Sequence, residues 1–199
     1  MHCSDRKSLA ALENDLVERF KNGEDGSFAG LAELYKDRIH QFVICVLGPD
    51  RETEDIAQEA FIQIYRSLNS FRGGSSFSTW AYAVTRNVCR RHLRDRGREA
   101  GFPGEEEEDG APYEVPESGH SPEPALESEE TRALVRAEIE ALSPIHRSVI
   151  FLSCWERKSY EEMAQILDIP VGTVRSRLHN ALAALSRRLK TVLAEEKLP

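Results

Sequence analysis

Hydrophobic residues recur every three or four positions along most of this chain, which is the spacing of one face of an α-helix. In the first half, the pattern predicts four helices over residues 9–20, 28–47, 50–68 and 79–96. Helical periodicity stops near residue 99 and returns after residue 127, where it predicts several further helices. The sequence therefore predicts an all-α protein with two helical domains.

The strongest local pattern lies between Ser159 and Lys190. Ser159 suits a helix N-cap, and Glu162 three residues later completes a capping box. Pro170 ends this first helix because it lacks an amide proton, and a longer helix is expected to begin near residues 171–173. Asp168 at the corner can adopt the left-handed conformation that a tight turn requires. Two helices joined by a short corner predict a helix-turn-helix that enters the major groove.

The second of these helices should bury one apolar stripe and expose a basic face. Residues 171–190 carry five basic residues and no acid, a net charge of +5. The alternative is an ordinary helical hairpin with a solvated polar face, which this one-sided charge disfavours. The predicted apolar stripe consists of Val174, Leu178, Leu182, Leu185 and Leu189.

The charge of the chain is unevenly distributed. The formal net charge is −8, yet residues 99–130 hold eleven Glu and one Asp without a single Lys or Arg. Without these twelve acids the rest of the chain has a net charge of +4, so the acidity belongs to one segment. Dense like charge, prolines and low hydrophobicity predict a disordered linker there. Its acids are a candidate competitor with DNA for the basic faces.

A second candidate for nucleic-acid binding lies before and within the fourth helix. The segment 69–80 contains Gly73-Gly74 and several serines, which predict a loop, with Ser78 or Thr79 capping the next helix. Residues 86–98 then hold six Arg against one Asp, a pattern that favours phosphate contact over a merely solvated face. The loop aromatics Phe71 and Phe77 would either fill the local core or stack on unpaired bases.

The remaining features set limits on the function. The third helix leaves Ile62 among polar residues, which suits either a docking surface or an isolated exposed apolar residue. The four cysteines are far apart without a C-x-x-C pair, so neither disulfides nor a metal site is expected. The N-terminus lacks a signal-peptide pattern and no run is long enough to span a membrane, so we expect a cytoplasmic protein. Neither a catalytic constellation nor a cofactor is predicted.

Taken in order, these pieces resemble an extracytoplasmic-function sigma factor, a two-domain initiation factor of bacterial RNA polymerase. The resemblance rests on TEDIAQEAFIQIYRSLNSFRGGSSFSTWAYAVTRN (residues 53–87) and on LSPIHRSVIFLSCWERKSYEEMAQILDIPVGTVRSRLHNAL (residues 142–182). It implies a region-two domain over residues 1–98, a flexible linker over 99–127 and a region-four domain over 128–199.

The resemblance also implies roles for individual residues. The implied contacts to the −35 promoter element are Thr173, Arg175, Ser176, Arg177, His179 and Asn180. The implied contacts to the −10 element are Asn69, Ser70, Phe71, Arg72, Phe77, Trp80, Tyr82, Arg86, Asn87, Arg90 and Arg91. The implied contacts to the coiled coil of the largest polymerase subunit are Asp55, Gln58, Glu59, Phe61 and Ile62.

The implied partners are core RNA polymerase, including the flap of its other large subunit, promoter DNA and an anti-sigma factor. Two other functions remain open: a sigma-like protein that only sequesters an anti-sigma factor, and a stand-alone helix-turn-helix regulator. The first predicts loss of the basic residues that would contact DNA, and the second leaves residues 53–87 without a role.

Overall fold

A computed structural model describes residues 3–97 and 129–195, and within these ranges all regular secondary structure is helical. Two compact units divide the chain: residues 3–97 form most of the first and residues 129–195 most of the second. The predicted linker over 99–127 lies outside the described residues. The first unit contains α1 (Cys3–Lys21), α2 (Ser27–Leu47), α3 (Thr53–Ser67), a 3₁₀ turn (Leu68–Ser70) and α4 (Phe77–Asp95). The second contains α5 (Glu129–Glu140), α6 (Pro144–Ile150), a π-helical turn (Phe151–Trp155), α7 (Tyr160–Leu167) and α8 (Val171–Glu195).

The core of the first unit is built around α2, which packs against α1, α3 and α4. Tyr35, Ile39 and Phe42 are buried along its inner face, at the helical spacing seen in the sequence. Tyr35 packs edge-to-face on Phe77, and Phe42 packs edge-to-face on Tyr82, so aromatic pairs join α2 to α4. This packing fixes which face of α4 is turned outward.

Three predicted helix starts in this unit were wrong by two to six residues, the largest difference being in α1, which begins at Cys3 rather than at residue 9. Helix α3 begins at Thr53 rather than Asp50, and α4 begins at Phe77 rather than Thr79. The N-cap of α4 is Ser76, whose Oγ accepts a hydrogen bond from the Thr79 amide at 3.2 Å. The predicted caps Ser78 and Thr79 instead lie within the first turn of α4 and are buried.

Side-chain caps begin two helices of the second unit, and one of them is the predicted capping box. Ser143 caps α6, with Pro144 in its first turn. Ser159 caps α7 in a full capping box: its Oγ accepts from the Glu162 amide at 3.2 Å, and the Glu162 carboxylate accepts from the Ser159 amide at 3.0 Å.

The corner between α7 and α8 is the predicted tight turn. Asp168 ends α7 in the left-handed conformation, with φ 55° and ψ 49°. Pro170 then precedes α8, which begins at Val171. The helix-turn-helix prediction is therefore confirmed in its caps, its corner and the start of its second helix.

The apolar stripe of α8 differs from the predicted one after its second turn. Val174, Leu178 and Ala181 are buried, whereas Leu182 is 46% exposed. The reason is geometric: at 3.6 residues per turn, Ala181 returns to the face of Val174 after two turns, whereas Leu182 is rotated about 80° from Val174 and about 100° from Ala181. The small side chain of Ala181 gave no strong apolar signal in the sequence.

Among the helices of residues 3–97 and 129–195, none combines the length and the apolar character needed to cross a bilayer.

Candidate nucleic-acid interface

The front of α8 presents a polar surface around Arg175. The Arg175 side chain is exposed, and its guanidinium carbon lies 5.4 Å from the centroid of the Tyr160 ring. The Ser176 hydroxyl donates to the Thr173 carbonyl at 3.1 Å, and both residues are half-buried. His179 and Asn180, one turn further along, are half-buried as well. Of the predicted −35 contacts, Arg175 is thus the most available, and Thr173, Ser176, His179 and Asn180 keep part of their surface.

Arg177 does not belong to this surface. The structure leaves it only 2% exposed, beside the buried Leu178. An arginine can bury its aliphatic stem against apolar neighbours, so a basic residue beside an apolar stripe is not always a solvent-facing one. The prediction that Arg177 contacts DNA directly does not fit this placement, and its position indicates a role inside the unit.

The loop before α4 is held by its own aromatic side chains. Phe71 and Phe77 are both buried, and Phe71 lies 5.1 Å from Trp80 between ring centroids. Of the two possibilities left open for these phenylalanines, filling the local core is the one that the structure shows. Trp80 remains half-buried, and the polar members of the loop are exposed: Asn69, Ser70 and Arg72.

Lys21 at the end of α1 is a cation that sequence analysis missed at this loop. Its ammonium donates to the Phe71 carbonyl and lies 5.4 Å from the centroid of the Phe71 ring. Fifty residues separate Lys21 from Phe71, and no local pattern links them. Only the packing of α1 against the 3₁₀ turn brings the lysine here.

Two predicted −10 contacts on α4 are internal. Tyr82 is 0% exposed, with its ring 5.1 Å from that of Phe42, and Arg86 is also buried. As direct DNA contacts these two predictions do not fit the structure, because α4 packs against both α2 and α3 and buries a wider face than one stripe. Asn87, beside Arg86, is exposed and accepts a hydrogen bond from the Arg86 guanidinium at 3.3 Å.

The last turns of α4 carry the exposed part of the basic run. Arg91 is exposed and forms an ion pair of 3.1 Å with Glu59 of α3. Arg96 pairs with Glu52, whose second oxygen lies 3.4 Å from His92. Arg90 is half-buried and Arg94 is exposed. The ion pairs with Glu59 and Glu52 hold the Arg91 and Arg96 side chains close to the unit while leaving them exposed.

The residues predicted to dock on polymerase all keep exposed surface on α3. Asp55 and Gln58 are exposed, and Ile62 is 44% exposed. Glu59 is half-buried and also accepts from the Gln63 amide at 2.6 Å, and Phe61 is half-buried. Tyr65, one turn beyond Ile62, is 40% exposed, extends the same apolar face and is not among the predicted docking residues.

The cysteines offer little chemistry. Burial raises the pKa of the Cys89 thiol to about 12, so this side chain is a neutral thiol at physiological pH and a poor nucleophile or metal ligand. In the part of the chain that the structure describes, no three His, Cys, Asp or Glu side chains form a group that could hold a metal ion.

Two family models match the chain in the order that the fold presents. Residues 31–99 match sigma-70 region 2, and residues 132–185 match sigma-70 region 4. The first match spans α2 to α4, and the second spans α5 to most of α8.

Characterised proteins of similar sequence cover nearly the whole chain. The RNA polymerase sigma-H factor of Pseudomonas aeruginosa is 35% identical over 189 residues, which cover 92% of this chain and 96% of that protein. The ECF RNA polymerase sigma-E factor of Escherichia coli K12 is 37% identical over 184 residues, which cover 89% of this chain and 94% of that protein.

Solved structures show the same fold at lower identity. CnrH in complex with the cytosolic domain of CnrY aligns with a TM-score of 0.61 and 20% identity, over 90% of this chain and 98% of that one. The sigma factor RpoE of Bartonella quintana, solved with the anti-sigma factor NepR, aligns with a TM-score of 0.60 and 24% identity, over 82% of this chain and 96% of that one.

Proposed function

This chain belongs to the extracytoplasmic-function branch of the sigma-70 family, and from that premise we propose how its two helical units direct RNA polymerase to promoters. It is a sigma factor, an initiation factor that joins core RNA polymerase and directs transcription. The observation that carries this function is the order of the matches: a region-2 segment precedes a region-4 segment that ends in a helix-turn-helix. The polymerase supplies the catalysis, and this chain supplies the choice of promoter.

We propose that the second unit, assigned to residues 128–199, binds the −35 element through the front of α8. Arg175 is exposed at the point where a recognition helix meets base edges, and arginine makes bidentate contacts with guanine. Thr173, Ser176, His179 and Asn180 would make the neighbouring contacts to bases or phosphates. Arg177, which is buried, would support the helix from inside.

We propose that the first unit, assigned to residues 1–98, binds the −10 element along its loop and α4. The exposed polar groups Asn69, Ser70, Arg72 and Asn87 can reach an opened strand, and Trp80 remains partly accessible. Phe71 and Phe77 hold the loop in shape from beneath. Arg90 and Arg91 would contact backbone phosphates, because they carry charge without a fixed base-facing position.

The outer face of α3 is the proposed contact with core polymerase. Ile62 and Tyr65 supply exposed apolar surface, and Asp55, Gln58 and Glu59 supply polar groups nearer the start of the same helix. An apolar centre with a polar rim is the usual anatomy of a protein interface. Docking here would place the factor in the cytoplasm, where polymerase works.

We also propose that an anti-sigma factor binds this protein, as in the RpoE–NepR complex. A chain that only sequestered such a partner would have no use for exposed arginines at the front of α8 and along α4. Arg175 and Arg91 keep those positions. The structure therefore favours a factor that works on DNA over one that only sequesters an anti-sigma.

Transcription with purified core polymerase tests this function. We expect the full chain to add promoter-dependent products from a library of upstream sequences, and core polymerase alone to give none of them. Products that are the same with and without this chain would contradict the proposal.

We expect the Arg91→Ala substitution to weaken promoter binding by the reconstituted holoenzyme at every sequence alike. One phosphate contact fewer should reduce the slope of log K against log salt concentration by about 1. Base preference at both elements should stay unchanged, because a phosphate carries no sequence information. Binding isotherms at several salt concentrations measure both quantities.

Lys36→Ala is the matched control, since Lys36 is also an exposed cation that pairs with a glutamate, Glu33, at 2.7 Å, but lies on α2. It should leave the salt slope unchanged. A salt slope unaltered by Arg91→Ala, or a changed base preference, would show that Arg91 does not act as a phosphate contact.

A further inference from the structure

The contact between Tyr160 and Arg175 joins the two helices of the helix-turn-helix at the surface proposed to meet DNA. Tyr160 is the first residue of α7 and Arg175 is the fifth of α8. The guanidinium lies 5.4 Å from the ring centroid, within the range of a cation–π contact. Tyr160 is 37% exposed, so an aromatic ring is kept at the surface of a DNA-binding unit.

The ring is held on a rigid base. Its neighbour Ser159 forms the capping box with Glu162, and Glu162 also accepts from the nearly buried Lys158 at 3.1 Å. The left-handed Asp168 fixes the direction in which α8 leaves α7. The first turn of α7 therefore has a defined position relative to the start of α8.

A free arginine side chain has several rotatable bonds, and ordering it on DNA costs rotamer entropy. An aromatic ring restrains the guanidinium by contact with the flat face of that group. The N–H groups of the guanidinium lie along its edge and remain available to donate to O6 and N7 of guanine. An ion pair with a carboxylate would instead occupy the same donors that base recognition needs.

From this arrangement we infer that Tyr160 is a positioning residue that sets the specificity of the −35 contact by holding Arg175 ready for the major groove. The inference rests on the proposed function, in which Arg175 contacts base edges. Tyr160 itself need not touch a base. Its ring face carries the role, and its hydroxyl is dispensable.

The test measures discrimination rather than affinity. Holoenzyme reconstituted from core polymerase and the full chain is bound to two promoter fragments, one with the preferred −35 sequence and one with the base pair opposite Arg175 exchanged. The preferred sequence is taken from the wild-type transcription library. The ratio of the two dissociation constants is the readout.

We expect Tyr160→Ala and Tyr160→Leu to lower this ratio about 2- to 5-fold, the effect of an exposed cation–π contact. Tyr160→Phe should keep the ratio of the wild type, because it retains the ring face. With Arg175→Ala already present, Tyr160→Ala should lower the ratio no further. Trp155→Ala, which removes another exposed aromatic residue of the same unit, is the control that should leave the ratio unchanged.

Several results would overturn the inference. Equal losses from Tyr160→Phe and Tyr160→Ala would place the role in the hydroxyl. Equal weakening on both fragments, or a lower melting temperature with an unchanged ratio, would assign Tyr160 to general binding or to stability. If Arg175→Ala leaves the ratio of dissociation constants at the wild-type value, the proposed base contact of Arg175 is wrong, and the inference about Tyr160 is wrong with it. If Arg175→Ala lowers the ratio but Tyr160→Ala does not, only the inference about Tyr160 is wrong.

Discussion

Replacing Arg175 with alanine should erase promoter choice at the −35 element while leaving the protein folded. Arg175 is exposed at the front of α8 and contributes to none of the unit's core. A bidentate arginine–guanine contact is worth about 1–3 kcal/mol of discrimination, which corresponds to about 5- to 150-fold in relative affinity. Competition between promoters that differ only in the −35 element, measured with reconstituted holoenzyme, gives this number directly.

Arg187→Ala is the matched control for this prediction. Arg187 is also an exposed arginine of α8, but it lies twelve residues further along, about 18 Å from Arg175. Its removal should leave base preference at the −35 element unchanged. Arg175→Lys adds a second comparison, since lysine keeps the charge and lacks the planar fork, and it should lose most of the discrimination. If the Arg175→Ala variant still discriminates between −35 sequences as the wild type does, the proposed placement of α8 in the major groove is wrong.

Tyr82→Ala is expected to destabilise the first unit severely. The sequence suggested a DNA contact for Tyr82, but the structure places its ring at 0% exposure against Phe42. Truncation of a buried aromatic side chain to alanine costs about 3–5 kcal/mol, a large share of the stability of a small domain. Chemical denaturation of the full chain, followed by circular dichroism, should show an early transition that the wild type lacks.

The Tyr82→Phe variant separates the packing of the ring from the contribution of the hydroxyl group. It keeps the ring against Phe42 and should lose much less stability than the alanine variant. Its transcription at the preferred promoter should remain close to that of the wild type. A stable Tyr82→Ala protein with defective promoter opening would show instead that Tyr82 acts on DNA, as the sequence resemblance implied.

Features that depend on neighbours along the chain could be predicted from the sequence. The capping box of Ser159 and Glu162 and the left-handed turn at Asp168 both follow from the sequence, and both are present in the structure. Each is decided by side-chain hydrogen bonds or backbone preferences within a few residues. For the same reason, the two helices of the helix-turn-helix and the corner between them could be predicted from residues close together in the sequence.

Features that depend on which helices meet could not be predicted in this way. Periodicity gives a helix one buried stripe, but α4 packs against two helices and buries Tyr82 and Arg86 as well. Arg177 lies beside the stripe of α8 and is buried for a similar reason. Lys21 reaches the Phe71 loop only through the packing of α1. The structure therefore adds two kinds of information. It shows which residues beside an apolar stripe are buried, and it shows contacts between residues far apart in the sequence.

The function of the helix-turn-helix is identified by the unit that precedes it. Alone it would fit many DNA-binding proteins, whereas a preceding unit that matches sigma-70 region 2, with the docking face proposed on α3 and a basic α4, fits a factor that works on polymerase. Two modest DNA contacts carried by one chain act together, because binding of one raises the effective concentration of the other. Neither unit then needs high affinity of its own.

Sequencing of the promoters that this chain activates tests the central proposal most directly. Core polymerase is supplied with the full chain and a library in which the region upstream of the start site is randomised, and the templates of the resulting transcripts are read. We expect two conserved blocks at a fixed separation, one for each unit, and selective loss of the upstream block with Arg175→Ala. A single block, or enrichment no different from that of core polymerase alone, would contradict the account of two units that recognise one promoter.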